Sequence, residues 1–224
     1  MRTVAVVPAY NEADTVGSVV RDTAEYVDEV VVVDDGSGDG TPALARDAGA
    51  TVVEHAFNTG VGGAVRTGYR YAIEAGYDFV VQVDADGQHD PAEIPELLAA
   101  AEDCDMVIGS RYRDGSIEQY PFVRRAGIRF FTGVVNTLGG VEVTDVTSGF
   151  RVYRVSMLRN ILHQRDAHWA VEQTLDAARQ GYRIREVSAE MPTREEGESQ
   201  FDLGTFLLYP LRMTDVVLRV VLFR

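Results

Sequence analysis

Two aspartates stand two positions apart in the segment VQVDADGQHD, which covers residues 81–90. The apolar residues before Asp84 are typical of a buried strand, and in an extended chain the side chains of Asp84 and Asp86 point to the same side. Carboxylates at this spacing repel each other unless a cation lies between them. Either water and salt screen the pair on a surface loop, or the pair holds a divalent metal ion, which favours oxygen ligands.

Five short apolar stretches alternate with helical patterns along the first half of the chain. The stretches are VAVV, EVVVVD, TVVEH, YDFVVQVD and DMVIGS, and helical patterns over about residues 12–26, 41–48, 62–74 and 91–101 separate them. This alternation indicates βαβ units, and continuously apolar strands indicate a parallel sheet that helices cover on both faces. We therefore predict an α/β fold with a Rossmann-like, mostly parallel central sheet.

Polar and glycine-rich residues follow four of these five strands. The strand ends read PAYNE, DDGSGDGT, DADGQHD and GSRY. Because ligands bind beyond the carboxyl ends of the strands in such sheets, the four converging ends predict a binding site around Asp84 and Asp86. A dinucleotide site is disfavoured, since no G-x-G-x-x-G motif follows the first strand. A phosphate-binding P-loop is excluded because the chain has no lysine.

The composition suits one large α/β domain and argues against some partners. The 224 residues are 46% hydrophobic, and 35 acidic residues outnumber 21 arginines, which gives a net charge of -14. A chain this acidic is a poor binder of nucleic acid, because such binding depends on neutralising phosphates. The lone Cys104 excludes a disulfide within the chain, and no signal peptide is visible, so a cytoplasmic location is expected. The lysine-free, acidic composition is similar to that of halophilic archaeal proteins, although a GC-rich coding bias would also produce it.

Six motifs occur in the order and approximate spacing that family 2 inverting glycosyltransferases show. They read VVPAYNE, VVVDDGSGDGT, NTGVGGAVRTGY, VDADGQHDP, IGSRY and DVTSGFRVYR, and they span about residues 3–200. Within the family, the chain resembles most the polyprenyl-phosphate sugar synthases, such as dolichyl-phosphate mannose synthase and dolichyl-phosphate glucosyltransferase. The resemblance implies a GT-A-type domain over residues 1–202, with a nucleotide-sugar half at 1–110 and an acceptor half at 111–202.

The resemblance also implies which residues bind the donor. Asp84 and Asp86, with Gln88, would hold Mg²⁺ or Mn²⁺, and such an ion neutralises the charge that develops on a leaving diphosphate. The residues matched to nucleotide-sugar contacts are Pro8, Tyr10, Glu12, Val33, Asp35, Asp84, Ala85 and Asp86. His89 is interpreted as structural, because the family pattern gives it no ligand role. NTGVGGAVRTG is compatible with direct ligand contact or with close helix–sheet packing.

The acceptor side is implied in the same way. The positions matched to phosphate contacts are Arg111, Arg124, Ser148, Arg194 and Ser199. Arg111 and Asp145 join Asp84 and Asp86 as implied catalytic residues, and Asp145 lies in the acceptor motif DVTSGF. The late segment REEGESQ departs from the subgroup pattern R-x-x-G-x-S-K, because Gln200 replaces the lysine. This change removes one phosphate-binding cation from the acceptor side.

The implied reaction transfers a hexose from GDP-mannose or UDP-glucose to a polyprenyl (dolichyl) phosphate, for protein glycosylation. A lipid phosphate is already ionised, with a second pKa of about 6, so it needs no strong base. A sugar hydroxyl would need one, and Asp145 is then the candidate. Two alternatives stay open: a family 2 enzyme that elongates a lipid-linked or surface glycan, and a nucleotide-binding module without transfer activity.

The C-terminal stretch, residues 203–224, is apolar but contains Arg212, Asp215 and Arg219. Their spacing of three and four residues puts them on one face of a helix. We predict an amphipathic interfacial helix that places the protein peripherally at the cytoplasmic face of the membrane. A helix docked on the domain or on a second subunit is the alternative, and the oligomeric state is not fixed by the sequence.

Overall fold

A computed structural model describes residues 1–161, 168–191, 217–218 and 220–221, with the side chains of residues 113, 114, 116, 123 and 124 excepted. In this part of the chain, seven strands form one sheet. The strands are β1 Thr3–Ala9, β2 Glu29–Asp34, β3 Thr51–Glu54, β4 Phe79–Gln82, β5 Met106–Ser110, β6 Arg151–Arg154 and β7 Ile184–Ser188. The helices are α1 Val16–Ala24, α2 Thr41–Asp47, α3 Val61–Ala75, α4 Ile94–Ala101, α5 Arg111–Asp114, α6 Phe122–Gly139, α7 Val155–Ile161 and α8 Trp169–Arg179.

The strands lie in the order β3-β2-β1-β4-β6-β5-β7. All neighbouring pairs are parallel except those of β6, which runs antiparallel to both β4 and β5. The predicted α/β fold with a mostly parallel sheet is therefore confirmed. The direction of β6 means that the chain enters this strand at the edge where β4 and β5 end.

Side chains of the central strands alternate between two hydrophobic layers. Val4 and Val6 of β1 pack into one layer, whereas Ala5 and Val7 pack into the other. Because both faces of the strand are covered, the sequence of β1 is apolar without interruption. This burial fixes the strand ends at one edge of the domain.

Helix α3 lies unusually close to β1. A Cβ on Gly68 would come within 2.2 Å of Val6 Cγ1. The last glycine of NTGVGGAVRTG is therefore required for close helix–sheet packing, which was one of the two interpretations of this motif.

Helix α1 begins four residues later than the pattern predicts. The Thr15 hydroxyl does not cap the helix; it donates instead to the Ala85 carbonyl oxygen at 2.7 Å. Residues 12–15 thus form a turn that contacts the loop after β4, and the helix starts at Val16.

Of the C-terminal stretch 203–224, the structure describes four residues. Val220 is fully buried against the core, and Arg179 Nη2 donates to the Val221 carbonyl oxygen at 3.4 Å. These contacts agree with a helix docked on the domain at this point. Arg212, Asp215 and Arg219 lie outside the described residues, so the amphipathic helix stays a prediction. Among the described helices, none is long and apolar enough to cross a membrane.

Candidate active site

Asp84 and Asp86 lie in the loop that follows β4, at the carboxyl edge of the sheet. Asp86 Oδ1 accepts a hydrogen bond from the Gln88 backbone N–H at 3.0 Å, and Gly87 between them has a φ of 75°. The positive φ explains the glycine, since other residues rarely adopt this conformation. The turn brings Asp84, Asp86 and Gln88 into one short loop, and their metal-binding role stays a prediction.

His89 fixes the backbone of this loop. Its Nδ1 accepts a hydrogen bond from the Asp84 N–H at 3.0 Å, so the proton of a neutral ring is on Nε2, which lies 3.6 Å from Asp84 Oδ2. The ring stacks on Phe150 with centroids 4.8 Å apart. Burial lowers the pKa of His89 to about 4, so the ring is neutral at pH 7. The structural role expected for His89 is thus the orientation of Asp84.

The Asp84 carboxylate sits in an environment that disfavours its charge. Burial raises the pKa of Asp84 to about 6, against the opposing effects of the Gln82 amide and the positive charge of Arg111. Its side chain is still 38% exposed on the open side of the site. A cation there would relieve the unfavourable charge, which is the condition for a metal-binding carboxylate.

Gly149 presses directly on this carboxylate. A Cβ at position 149 would lie 2.8 Å from Asp84 Oδ2 and 3.2 Å from Oδ1. The residue before Phe150 and β6 must therefore be glycine for Asp84 to keep its place. The acceptor motif and the aspartate pair are in van der Waals contact at this point.

The oxygen groups of the loop suit a hard divalent ion. Within the described residues, no group of three or more His, Cys, Asp or Glu side chains is placed to hold a metal. Mg²⁺ commonly takes one or two protein carboxylates and completes its shell with phosphate oxygens and water. Asp84, Asp86 and the Gln88 amide oxygen fit this kind of site.

The predicted donor residues come together around the ends of β1 and β2. Pro8 and Val33 are register partners in adjacent strands, and Tyr10 remains 37% exposed just beyond β1. The Glu12 N–H donates to Thr41 Oγ1 at 2.9 Å, which ties the loop after β1 to the start of α2. Together with the Thr15–Ala85 bond, these contacts place the donor residues along one edge.

Asp35 is buried and organises the loop after β3. Its Oδ1 accepts from His55 Nδ1 at 2.7 Å and from the Thr59 N–H at 2.9 Å, and its Oδ2 accepts from the Gly60 N–H at 2.8 Å. Nothing in the sequence pattern had singled out His55 or Thr59. The nucleotide contact of Asp35 stays a prediction beside this structural role.

Arg111 and Asp145 form a buried ion pair. Arg111 Nε donates to Asp145 Oδ2 at 2.7 Å and Nη2 donates to Oδ1 at 2.8 Å, and Nη2 also donates to Thr147 Oγ1 at 2.7 Å. Burial opposes the charge of Asp145, but the guanidinium prevails and holds its pKa below the usual range. A carboxylate committed in this way orients Arg111, which disfavours its use as a general base.

Glu186 on β7 is a site residue that the sequence reasoning missed. It accepts hydrogen bonds from the Thr144 N–H, the Thr144 hydroxyl and the Asp145 N–H, each at 2.8 Å. Glu186 thereby holds the backbone that carries Asp145. Nothing in the short strand IREVS distinguished this acid, and its partners became visible only through the pairing of β5 with β7.

Arg151 holds the same loop from the other side. This fully buried side chain donates through Nη2 to the Val146 carbonyl and through Nε to the Ser148 carbonyl, both at 2.7 Å, and through Nη1 to Thr174 Oγ1 at 3.0 Å. The loop 145–150 is consequently joined to helix α8. The sequence reasoning assigned no role to this arginine.

The remaining predicted acceptor residues are only partly described. Ser148 is buried, and its Oγ accepts from the Phe150 N–H at 3.3 Å, so it shapes the loop. Arg124 is in the first turn of α6, and its side chain is outside the description. Arg194 and Ser199 also lie outside the described residues, so their phosphate contacts stay predictions.

Comparisons with known proteins agree with this architecture. A sequence model described as "Glycosyl transferase family 2" matches residues 4–162. The chain is 35% identical to the undecaprenyl-phosphate mannosyltransferase of Micrococcus luteus over 216 residues, with 91% of this chain and 89% of that protein covered. It is 35% identical to the dolichyl-phosphate hexose transferase of Haloferax volcanii over 202 residues, with 88% and 85% covered.

A solved structure shares the fold at low sequence identity. It is glucosyl-3-phosphoglycerate synthase from Mycobacterium tuberculosis in complex with Mn²⁺, uridine diphosphate and phosphoglyceric acid. The TM-score is 0.76 at 20% identity, and the match covers 100% of this chain and 79% of that one. This similarity confirms the predicted GT-A-type fold.

Proposed function

Because the chain belongs to glycosyl transferase family 2, we propose that it transfers a hexose from a nucleotide sugar to a polyprenyl phosphate with inversion at the anomeric carbon. The donor would be GDP-mannose or UDP-glucose, and the acceptor a dolichyl-type lipid phosphate used for protein glycosylation. The names of the two relatives support this class, since they describe transfer of a mannose and a hexose to undecaprenyl and dolichyl phosphate.

One observation carries the proposal: the charge of a buried, oriented arginine acts on an aspartate of the pair. The Arg111 guanidinium is aligned by two hydrogen bonds to Asp145, and its positive charge favours the ionised form of Asp84, although burial still raises the pKa of that carboxyl. A fixed cation that acts on a metal-binding carboxylate suits a reaction between two anionic substrates. The nucleotide diphosphate would approach the carboxylate side, and the acceptor phosphate the arginine side.

On the donor side, Asp84, Asp86 and Gln88 would hold Mg²⁺ or Mn²⁺. Such an ion, when bound, supplies Lewis acidity to the leaving diphosphate. His89 and Gly149 keep the Asp84 carboxylate in place, and Tyr10 and Glu12 would contact the base and ribose. Together these residues would orient the donor.

On the acceptor side, Arg111 would orient the lipid phosphate for direct attack on the anomeric carbon. The phosphate oxygen is already ionised, so positioning and electrostatic stabilisation carry the reaction. This fits Asp145, whose proton affinity is lowered by its ion pair. A hydroxyl acceptor would need a free base in the same place, which disfavours glycan elongation.

The proposed acceptor places the reaction at a membrane surface. We propose a peripheral location at the cytoplasmic face, where water-soluble nucleotide sugars reach a lipid phosphate.

A donor and acceptor screen tests the proposal. The purified chain is incubated with labelled GDP-mannose or UDP-glucose, Mg²⁺ or Mn²⁺, and either dolichyl phosphate or a lipid-linked glycan. We expect a lipid-phosphate hexose of inverted configuration, formed only with metal and reduced at least about 100-fold in Asp86→Ala. Retained configuration, transfer only to the glycan, or full activity of Asp86→Ala would each contradict a stated part. Metal-dependent nucleotide binding with no turnover would support the non-catalytic module instead.

A further inference from the structure

Helix α6 exposes large aromatic side chains to solvent. Phe122 is 74% exposed and Phe130 is 65% exposed, and the exposed small residues Ala126 and Gly133 lie between and beside them. At 3.6 residues per turn these four positions fall within about 80° of the helix circumference. We call them the Phe122–Phe130 face. Single exposed apolar residues are common on proteins, but two phenylalanines on one helix face form a patch.

The charge around this face differs from that of the rest of the protein. Residues 119–141 contain no acidic residue and include Arg124, Arg125 and Arg129, although the whole chain has a net charge of -14. Arg129 is exposed beside the phenylalanines. By helical spacing Arg129 borders the face, Arg125 lies farther round the helix and Arg124 lies on the opposite side. An arginine that borders an apolar helix face is part of the pattern that binds an anionic bilayer surface.

Another face of α6 holds residues 143–150, which include the acceptor motif and which we call the acceptor loop. Asn136 Nδ2 donates to the Val143 carbonyl at 2.8 Å, and the Val143 N–H donates back to Asn136 Oδ1 at 3.1 Å. Near the start of the helix, the Tyr112 hydroxyl donates to the Arg125 carbonyl at 3.2 Å. The helix therefore joins the exposed phenylalanines to the segments that carry Arg111 and Asp145.

We propose that the Phe122–Phe130 face of α6 inserts into the headgroup region of an anionic bilayer and so presents Arg111 to a membrane-embedded lipid phosphate. The inference rests on the proposed function. A second copy of the chain fits this face less well, because a two-fold contact would bring the arginines of both copies together. An anionic lipid surface complements them.

Vesicle binding tests the surface itself. Binding is measured by co-sedimentation with phosphatidylglycerol and with phosphatidylcholine vesicles for wild type, Phe122→Ser/Phe130→Ser and the control Leu44→Ser. Leu44 is an apolar residue that is 41% exposed on α2. We expect the double variant to bind anionic vesicles at least about tenfold more weakly, and the control to bind like wild type. Equal binding of wild type and double variant, with unchanged thermal unfolding, would overturn the inference.

A comparison of two acceptors separates this inference from the proposed function. Transfer is measured to a short, water-soluble prenyl phosphate and to dolichyl phosphate embedded in vesicles. The double variant should match wild type on the short acceptor and lose at least about tenfold on the embedded one. Equal activity of both proteins on both acceptors would overturn the inference. No turnover by wild type on either acceptor would refute the proposed function while leaving the binding result readable.

The same protein variants test whether a second copy of the chain or residues 192–216 cover the Phe122–Phe130 face instead of a bilayer. Dimerisation of wild type that disappears in the double variant would assign the face to a second copy and overturn the bilayer inference. A crosslink from the Phe130→Cys variant to residues 192–216, unchanged by vesicles, would assign the face to the chain's own segment and would also overturn the bilayer inference.

Discussion

The donor loops and the acceptor loop are held by different forces. The loops after β1 and β2 are joined at an exposed rim mainly by bonds between uncharged groups, such as Gly38 N–H to Asn11 Oδ1 and Asn11 N–H to Ser37 Oγ, both at 2.9 Å. The exposed Asp39 carboxylate adds one bond, which it accepts from the Ala13 N–H at 3.3 Å. The acceptor loop is held by buried ions, namely Arg111, Asp145, Glu186 and Arg151. Each neutral bond contributes about 1 kcal/mol, whereas breaking a buried ion pair costs about 3–5 kcal/mol.

This difference suggests that the donor loops and the acceptor loop differ in how easily they change conformation. Neutral contacts at a partly exposed rim can be lost one at a time, so the donor loops can adjust to a nucleotide. A buried charged side chain cannot move away from its partner alone, because an unpaired buried charge strongly destabilises the fold. The acceptor loop should therefore keep one conformation with or without substrate.

The largest expected effect is on the buried pair. Asp145→Asn leaves the Arg111 guanidinium without its counter-charge and should lower the free energy of unfolding by about 3–5 kcal/mol, measured by denaturant titration. Arg111→Met/Asp145→Leu should regain most of that stability and remain inactive. A loss under about 1 kcal/mol in Asp145→Asn would show that charge does not hold the loop.

The stability that the Arg111–Asp145 ion pair contributes should be lost at acidic pH. Burial favours protonated Asp145, but Arg111 holds its folded-state pKa below the usual range. The stabilisation is thus complete above the unfolded-state pKa of about 3.9 and is lost as the pH falls through the folded-state value. The difference in unfolding free energy between wild type and Asp145→Asn should be constant from about pH 5 to 7 and narrow below about pH 4. A difference that does not change with pH would contradict the ionised pair.

An intermediate effect is expected where the two regions meet. Gly149→Ala would place a methyl group 2.8 Å from Asp84 Oδ2 and displace this carboxylate. Transfer should fall about tenfold, with a higher metal concentration at half-maximal activity and little change in stability, since Asp84 is partly exposed. Gly127→Ala is the control, because a Cβ there meets no atom within 4 Å. Equal activity of the two variants would remove the assigned role of Gly149.

The smallest effect is expected on the donor side. Thr41→Val removes the hydroxyl that accepts from the Glu12 N–H at 2.9 Å and donates to Asp39 Oδ1 at 2.5 Å. The cost to folding should be about 1–2 kcal/mol, with a few-fold higher KM for the nucleotide sugar and an unchanged rate at saturation. Calorimetry and initial rates measure these. If Thr41→Val destabilised the protein as much as Asp145→Asn, the donor loops and the acceptor loop would not differ in how they are held.

Local patterns predicted the first half of the fold well. The strands β1, β2, β4 and β5 are short apolar runs whose burial on both faces is visible in sequence, whereas the edge strand β3 is only half-buried. The start of α1 was wrong by four residues, because Thr15 bonds to Ala85 in a loop seventy positions away. No local pattern carries that contact.

In the candidate site, too, local sequence patterns were predictable and long-range contacts were not. Asp84 and Asp86 are neighbours along the chain, so their place together in the loop after β4 could be predicted from spacing, whereas their metal-binding role stays a prediction. Arg111 and Asp145 were both named, but as separate functions, because their pairing depends on contact across 34 positions. Glu186 was missed since its partners are set by the pairing of β5 with β7. Long-range pairing, not residue type, is what the sequence left undetermined.

The antiparallel course of β6 fixes how the loop after β4 and the loop before β6 meet. Gln82 and Arg151 are register partners, so the residues just beyond them, Asp84 and Gly149, meet at the rim of the sheet. A slip of one residue would turn every side chain of β6 to the opposite face and separate the two. The backbone hydrogen bonds between β4 and β6 thus set the distance between the two loops that we propose hold the donor and the acceptor.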